Sequence, residues 1–373
     1  MKKKRILMLL GSVVLALMLV VPLIVACAAP TPTPAPTTPA PTTPAPTPSP
    51  PPSAEVFNWR FTSWSSPGSY YGDEAYPDFC QKIEDMSGGR ITVEYISAAA
   101  LAGEFGAFDS IRQGIIEIGA PWVGGYDTIL DEAKCEYGVP FGLRDSREVL
   151  TLYYERGWEE LLREAYMDLS PPVYYLSPDI WCPLYLTVNK PVTTLDELRE
   201  LKIRAVGGCA DYLGRLGVTT VVVAWEELYT GVATGTIDGI LGPGLSEFYD
   251  LKTYEFAKYI VQPSFIGAVM GADYMVNMDA WNSLPEDLQE IVYGAAQEAS
   301  SRAGVVGWTD YELQGTVKML EEGASYVQLE DAALPVMAEA AKEQWADIAA
   351  ISPRTAEMMA IYEQYMKELG YID

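Results

Sequence analysis

Any chemistry in this chain has to proceed without imidazole, because its 373 residues include no histidine. Ser-His-Asp triads, Cys-His pairs and histidine-held zinc are therefore excluded. Neither a GxxxxGK(S/T) loop nor a GxGxxG turn is present to cradle phosphate. Cys80, Cys135, Cys182 and Cys209 have no CxxC spacing. Outside the cell four cysteines permit three disulfide pairings, and they serve equally well as buried thiols in a domain of this size. Carboxylates, arginines and aromatic rings remain. A carboxylate-dependent hydrolase needs two acids facing each other across a cleft, and Asp179 with Glu247 is a pair the sequence does not exclude. An arginine in a cleft implies different chemistry: its planar fork of N–H donors fits a carboxylate, which a lysine ammonium cannot match.

The elements that must position such residues begin after a long preamble. Lys2, Lys3, Lys4 and Arg5 precede an apolar run from Ile6 to Val25 that closes on Ala26-Cys27. The run is about long enough to cross a bilayer. A basic start, a short apolar core and a small-residue cleavage site instead favour a removed signal peptide, with Cys27 as the lipid-modified residue. Cys27 to Ser53 holds twelve prolines among Thr and Ala. That composition cannot bury a core, and its polyproline stiffness gives a reach of roughly 70–80 Å. The expectation is a signal peptide over 1–26 and a disordered tether over 27–54. Removing those four basic residues leaves 21 bases against 51 acids, a net charge of −30. Such a charge argues against nucleic acid or an anionic membrane surface as partner.

About 320 residues follow, beyond the size at which single cores stop growing, so two lobes are expected. Val56–Ser63 alternates aromatic and polar residues as a strand does. A helix is predicted from about Asp73 to Met86, stopped by Gly88-Gly89, then strands at Ile91–Ile96 and Ile115–Ala120 around a helix near Phe105–Gln113. Asp145–Met167 reads as one helix, followed by strands at Val173–Leu176 and Leu184–Val188. Thr194 to Glu197 fits a capping box. Strands at Lys202–Val206 and Thr219–Val223 flank a helix near Cys209–Leu216, and a helix over Trp225–Thr234 leads to a strand at Gly239. One more strand spans about Phe265–Asn277. Ser283 to Glu286 reads as a second capping box, opening a helix that runs to about Leu320 and bridges both lobes. Alternating strand and helix implies mixed sheets covered on both faces. Two such lobes on a tether suggest a hinged binding protein.

Several segments carry a family resemblance: Leu201-Lys-Ile-Arg-Ala-Val-Gly-Gly208, Leu216-Gly-Val, Trp225-Glu-Glu-Leu-Tyr229 and Gly235-Thr-Ile-Asp-Gly239. With Ser87–Ile91, Pro140–Leu143 and Trp281–Pro285, this ordered set resembles the extracytoplasmic solute-binding subunits of TRAP transporters, over about Val56 to Leu320. The resemblance implies a two-lobed α/β periplasmic-binding-protein-like fold with mixed sheets, hinge strands and a long lobe-bridging helix. It also implies that Arg204 grips the ligand carboxylate with two prongs, where a plain strand arginine would pair with a surface acid. Trp64, Trp122, Tyr126 and Trp181 fall where cleft-facing loops belong in that family, and Phe248, Asn189 and Asn277 are further candidates. For each aromatic, core packing is an equal reading; for the two asparagines, bonding to hinge backbone is the alternative. Relatives that hold 2-oxo acids through a metal have Glu-Trp soon after Thr-Ile-Asp. Here that stretch is Gly239-Ile-Leu-Gly-Pro243, with no carboxylate before Glu247.

The expectation is a receptor with no catalytic residues, cofactor or metal, lipid-anchored through Cys27 outside the cytoplasm. It captures a small organic acid, best a monocarboxylate with an apolar or aromatic body, and delivers it to TRAP permease subunits. Lobe I is expected over 55–180 with about 269–308, and lobe II over 181–268 with about 309–373. The alternatives are an ABC-importer receptor for another solute and the secreted hydrolase.

Overall fold

The computed structural model describes residues 55–65, 67–101, 103, 105–137, 139–180, 184–266 and 270–372. The signal, the tether, Cys27, Trp181 and Cys182 lie outside them. No described helix is long and apolar enough to cross a membrane.

Two sheets organise the chain. The first has the order β2-β1-β3-β10-β4, with β1 at Phe57–Ser63, β2 at Ile91–Ile96, β3 at Ile118–Ala120, β4 at Val173–Ile180 and β10 at Met270–Asn277. Strand β1 runs parallel to both neighbours, placing Phe57 beside Ile91 and Phe61 beside Ile118, while β10 is antiparallel to β3 and β4. The second sheet has the order β11-β9-β5-β8-β6-β7. Its strands are β5 Leu184–Val188, β6 Lys202–Arg204, β7 Thr219–Val221, β8 Gly239–Pro243, β9 Tyr259–Ile266 and β11 Ser325–Gln328. The chain passes from the first sheet to the second between β4 and β5, and returns between β9 and β10. The stretch read as a single strand over Phe265–Asn277 therefore divides between two sheets.

A rod of helix makes a third crossing. Glu286–Ala299 is α-helical, Ser300–Gly307 is π-helical and Trp308–Glu321 is α-helical again. Its first half packs on the helix Tyr76–Ser87 and on β4, and its last segment packs on the helix Leu245–Asp250. At that second contact Gly315 is required: a Cβ there would stand 2.2 Å from Ser246 Cα. One turn away, the Glu312 carboxylate accepts from the amides of Leu245 (2.7 Å) and Ser246 (3.0 Å), satisfying otherwise open helix-start donors. The helix Ala333–Ala349 packs on Gly207–Arg215, while the last helix, Pro353–Glu368, returns to the helices spanning 133–167. Trp158 Nε1 donates to Met358 O at 3.0 Å, and Trp345 Nε1 to Pro140 O at 3.0 Å.

Local expectations hold where one side chain decides them. Thr194 and Glu197 form the reciprocal capping box, and Gly88 takes the left-handed cap at φ 63°. Two need correction. The helix over Asp145–Met167 is two helices, broken at Gly157, whose φ of 87° only glycine adopts cheaply. Ser283 caps nothing downstream: it ends the short helix Met278–Ser283, bonding Ala280 O at 2.7 Å, and Pro285 precedes the rod without a side-chain cap.

Candidate functional site

Arg204 ends β6 and is only 3% exposed. Its Nε donates to Val223 O at 3.1 Å, and its guanidinium carbon stands 5.5 Å from the centre of the Trp225 ring. Among the described residues none accepts from Nη1 or Nη2 and none forms an ion pair with Arg204. In a chain with 51 acids that is informative: the side chain is held in place while its terminal donors stay open to an anion, whose carboxylate they match in geometry. Trp225 in turn stacks on Phe248, with ring centres 6.5 Å apart. Gly242 of β8 lies beneath both rings, where a Cβ would meet each at 3.4 Å. Tyr185, opposite Gly242 across the sheet and half-buried, packs on both hydrophobic cores.

The facing wall comes from the loop after β3. Trp122 bridges backbone-to-backbone with Ala272 of β10 and meets the Tyr137 ring edge-on at 5.1 Å. Tyr137 hydrogen-bonds the Cys209 thiol, whose pKa burial pushes up to about 12. A Cβ on Gly207 would sit 3.7 Å from Tyr137 and 3.4 Å from Asp127. The Trp122–Tyr137 wall thus lies against the helix start three residues beyond Arg204. Trp64 stands beside this wall, its amide donating to Ala120 O at 3.2 Å and its ring 5.7 Å from Tyr71.

The structure therefore groups Arg204 with the Trp122 wall, and places Phe248 fully buried as the prop beneath Trp225. Three candidates are placed elsewhere. Tyr126 turns inward: its ring stacks on Phe108 at 3.9 Å and its hydroxyl contacts Tyr166 at 2.7 Å. Asn189 is exposed and bonds Asp238 at 3.1 Å, at the end of β8 away from Gly242. Asn277 spends its side chain on the cap of the helix Met278–Ser283 and on Ile111 O at 3.0 Å. Trp225, Val223 and Tyr137 were missed as site residues. The signal for Trp225 was its place in the Trp225–Tyr229 segment; nothing in the sequence marks a backbone carbonyl such as that of Val223.

The hydrolase pair does not assemble. The buried Asp179 accepts from Tyr76 at 2.7 Å, and burial raises its pKa to about 7. Glu247 is buried with Oε1 lacking a donor, and burial, then Asp250 and Glu312, raise it to about 8. No contact between the two is found among the described residues. Nor do the described residues hold a group of three or more Cys, Asp or Glu placed to bind a metal ion. The Gly239–Pro243 stretch presents no carboxylate beside Arg204. A groove of about 600 Å³ between Tyr70–Lys82 and Glu298–Gln314 has walls of both charge signs and shares no residue with the Arg204 group.

The model of the bacterial extracellular solute-binding protein family 7, DctP, matches residues 61–351. The chain belongs to this family. Relatives include the monocarboxylate 2-oxoacid-binding periplasmic protein of Nostoc, 25% identical over 65% of this chain and 66% of that protein. The ectoine/5-hydroxyectoine-binding protein of Ruegeria pomeroyi is 24% identical over 66% of this chain and 71% of its own. Among solved structures, a TRAP periplasmic solute-binding protein of Colwellia psychrerythraea with calcium and pyruvate superposes with TM-score 0.78. It is 21% identical, covering 85% of this chain and 96% of that one. A second, from Pseudoalteromonas atlantica with sodium and pyruvate, gives 0.76 at 23% identity over 85% and 95%. At this identity such likeness establishes the two-lobed fold. Membership in the family makes this chain a solute receptor rather than an enzyme.

Proposed function

We propose that this family-7 receptor captures a small organic acid between its lobes and hands it to a TRAP-type permease. The ligand carboxylate binds Arg204. The observation that carries this reading is the guanidinium itself: buried, fixed through Nε, braced by Trp225, and left with two donors idle. Trp225 stands over the guanidinium, and the Trp122–Tyr137 wall lies against the helix that starts three residues further on, rings that shield the charge contact from water. Among the described residues no second arginine is placed in the Arg204 group, so a monocarboxylate with an apolar or aromatic body fits best. Closure brings 55–180 with about 269–308 toward 181–268 with about 309–373, the rod and the two strand crossings serving as the pivot. Cys27 carries the lipid that holds the protein outside the cytoplasm, and the proline-rich segment keeps the receptor clear of the membrane.

A thermal-shift screen of residues 54–373 against mono- and dicarboxylates tests the proposal. A ligand at a hundred times its Kd adds about 2.7 kcal/mol, a shift of a few degrees for this size. The shift should be largest for monocarboxylates with an apolar body and weaken in Arg204→Lys. Stabilisation by sugars or peptides alone would overturn the ligand class.

A further inference from the structure

A second buried group lies directly behind the Trp122 wall. Glu136 ends the short helix Ala133–Glu136 and Asp273 lies in β10; they are 2% and 0% exposed. Their side chains are in hydrogen-bond contact. Tyr153 donates to Glu136 Oε1 at 2.5 Å, and Tyr166 donates to Asp273 Oδ2 at 2.5 Å. Tyr166 has only one hydroxyl hydrogen, so Tyr126 must direct its own either to Tyr166 at 2.7 Å or to Oδ2 at 3.3 Å. Tyr153 and Tyr166 thereby spend their hydrogens on one oxygen of each acid, Tyr126 reaches only Tyr166 or that same Oδ2, and the buried Tyr175 hydroxyl bonds neither acid. Glu136 Oε2 and Asp273 Oδ1 are buried with no donor at all.

Among the described residues no cation makes up the deficit. The groups facing the pair are Tyr153 from the helix Ser146–Arg156, Tyr166 from Trp158–Met167, Tyr175 and Asp179 from β4, Tyr126 from the wall loop, and Cys135 and Glu132 on the pair's own segment. Glu132 is itself paired with Arg354 of the last helix at 3.2 Å. Two carboxylates cannot hydrogen-bond each other without a proton, and water does not reach these oxygens. We propose that Glu136 and Asp273 form a proton-binding site holding one proton between Oε2 and Oδ1, and that this proton pins the 122–137 wall to β10. Burial first, then mutual repulsion for Glu136, raises both acids, as the shared proton requires.

The attachment points make the coupling direct. Ala272, next to Asp273, carries the backbone bridge to Trp122. Tyr126, four residues along the wall, places its hydroxyl in the cluster. Tyr137, next to Glu136, touches both Trp122 and Cys209. Loss of the proton leaves two like charges in contact where all three attachments converge.

Hydrogen exchange of the 122–137 amides, corrected for intrinsic rates, tests the site without any ligand, so its outcome is independent of the receptor reading. If opening the wall releases the proton, protection should fall as pH rises from about 5, by up to tenfold per unit for one proton. It should level off once the closed pair also loses its proton. In Glu136→Gln the amide supplies the missing donor and that slope should flatten, while the wild type loses stability relative to the variant as pH rises. Asp273→Asn gives the same comparison should Glu136→Gln not fold. Wild-type protection independent of pH, or a slope equal in wild type and either folded variant, overturns the proposal.

Discussion

At Arg204 the Nε hydrogen is committed to Val223 O and one face of the guanidinium to Trp225, so the two terminal nitrogens are held rather than free to swing. A donor pair fixed before binding loses less entropy when the anion arrives. Trp225→Leu should therefore weaken acid binding by about 1–2 kcal/mol, on the order of tenfold in Kd, with the fold intact by circular dichroism. Calorimetry on the variant checks this; unchanged affinity would remove Trp225 from the site. This scale was the least legible in the sequence. Asn277 and Tyr126 have types suited to a ligand, and their neighbours in space, a helix start and a buried acid, claim them instead. Arg204 was reached through the segment around it, whereas its brace depends on strand ends that meet only in three dimensions.

Among the elements, the rod Glu286–Glu321 was visible as a long helical pattern because its length needs no tertiary contact to declare itself. The division of the final strand stretch between two sheets was not, since both halves share the same apolar composition and pairing partners are remote. Gly157 was passed over for a similar reason: the flanking helices have matching apolar periodicity, and only its φ of 87° separates them. The close seat of the rod on Leu245–Asp250 makes its own prediction. Gly315→Ala places a methyl carbon 2.2 Å from a backbone atom, so the rod must shift. Such overpacking should cost about 1–3 kcal/mol, read as a lower midpoint in urea unfolding. Gly323→Ala, with nothing within 4 Å but a φ of 92°, controls for backbone effects alone.

Across the whole molecule, an excess of acids coexists with several that are buried and unpaired. Asp179 and Glu247 have folded pKa values raised to about 7 and about 8, above their unfolded values. Between the unfolded and folded values the native state binds more protons, so the stability they contribute is fully present at about pH 4 and declines as pH rises through about 8. Glu247→Gln should resemble the wild type near pH 5 and exceed it near pH 8, by chemical denaturation at both. Equal stability differences at the two pH values would mean that Glu247 is already ionised. The formal charge of −26 also sets the selectivity problem: a surface that repels anions must admit one, and a local guanidinium achieves that. The most direct measurement is calorimetric titration with a binding acid and with its primary amide, in wild type and in Arg204→Ala. The account predicts that wild type prefers the acid by about 3 kcal/mol, on the order of a hundredfold, and that the preference disappears with the arginine. An undiminished preference for the acid in a folded Arg204→Ala protein would contradict it.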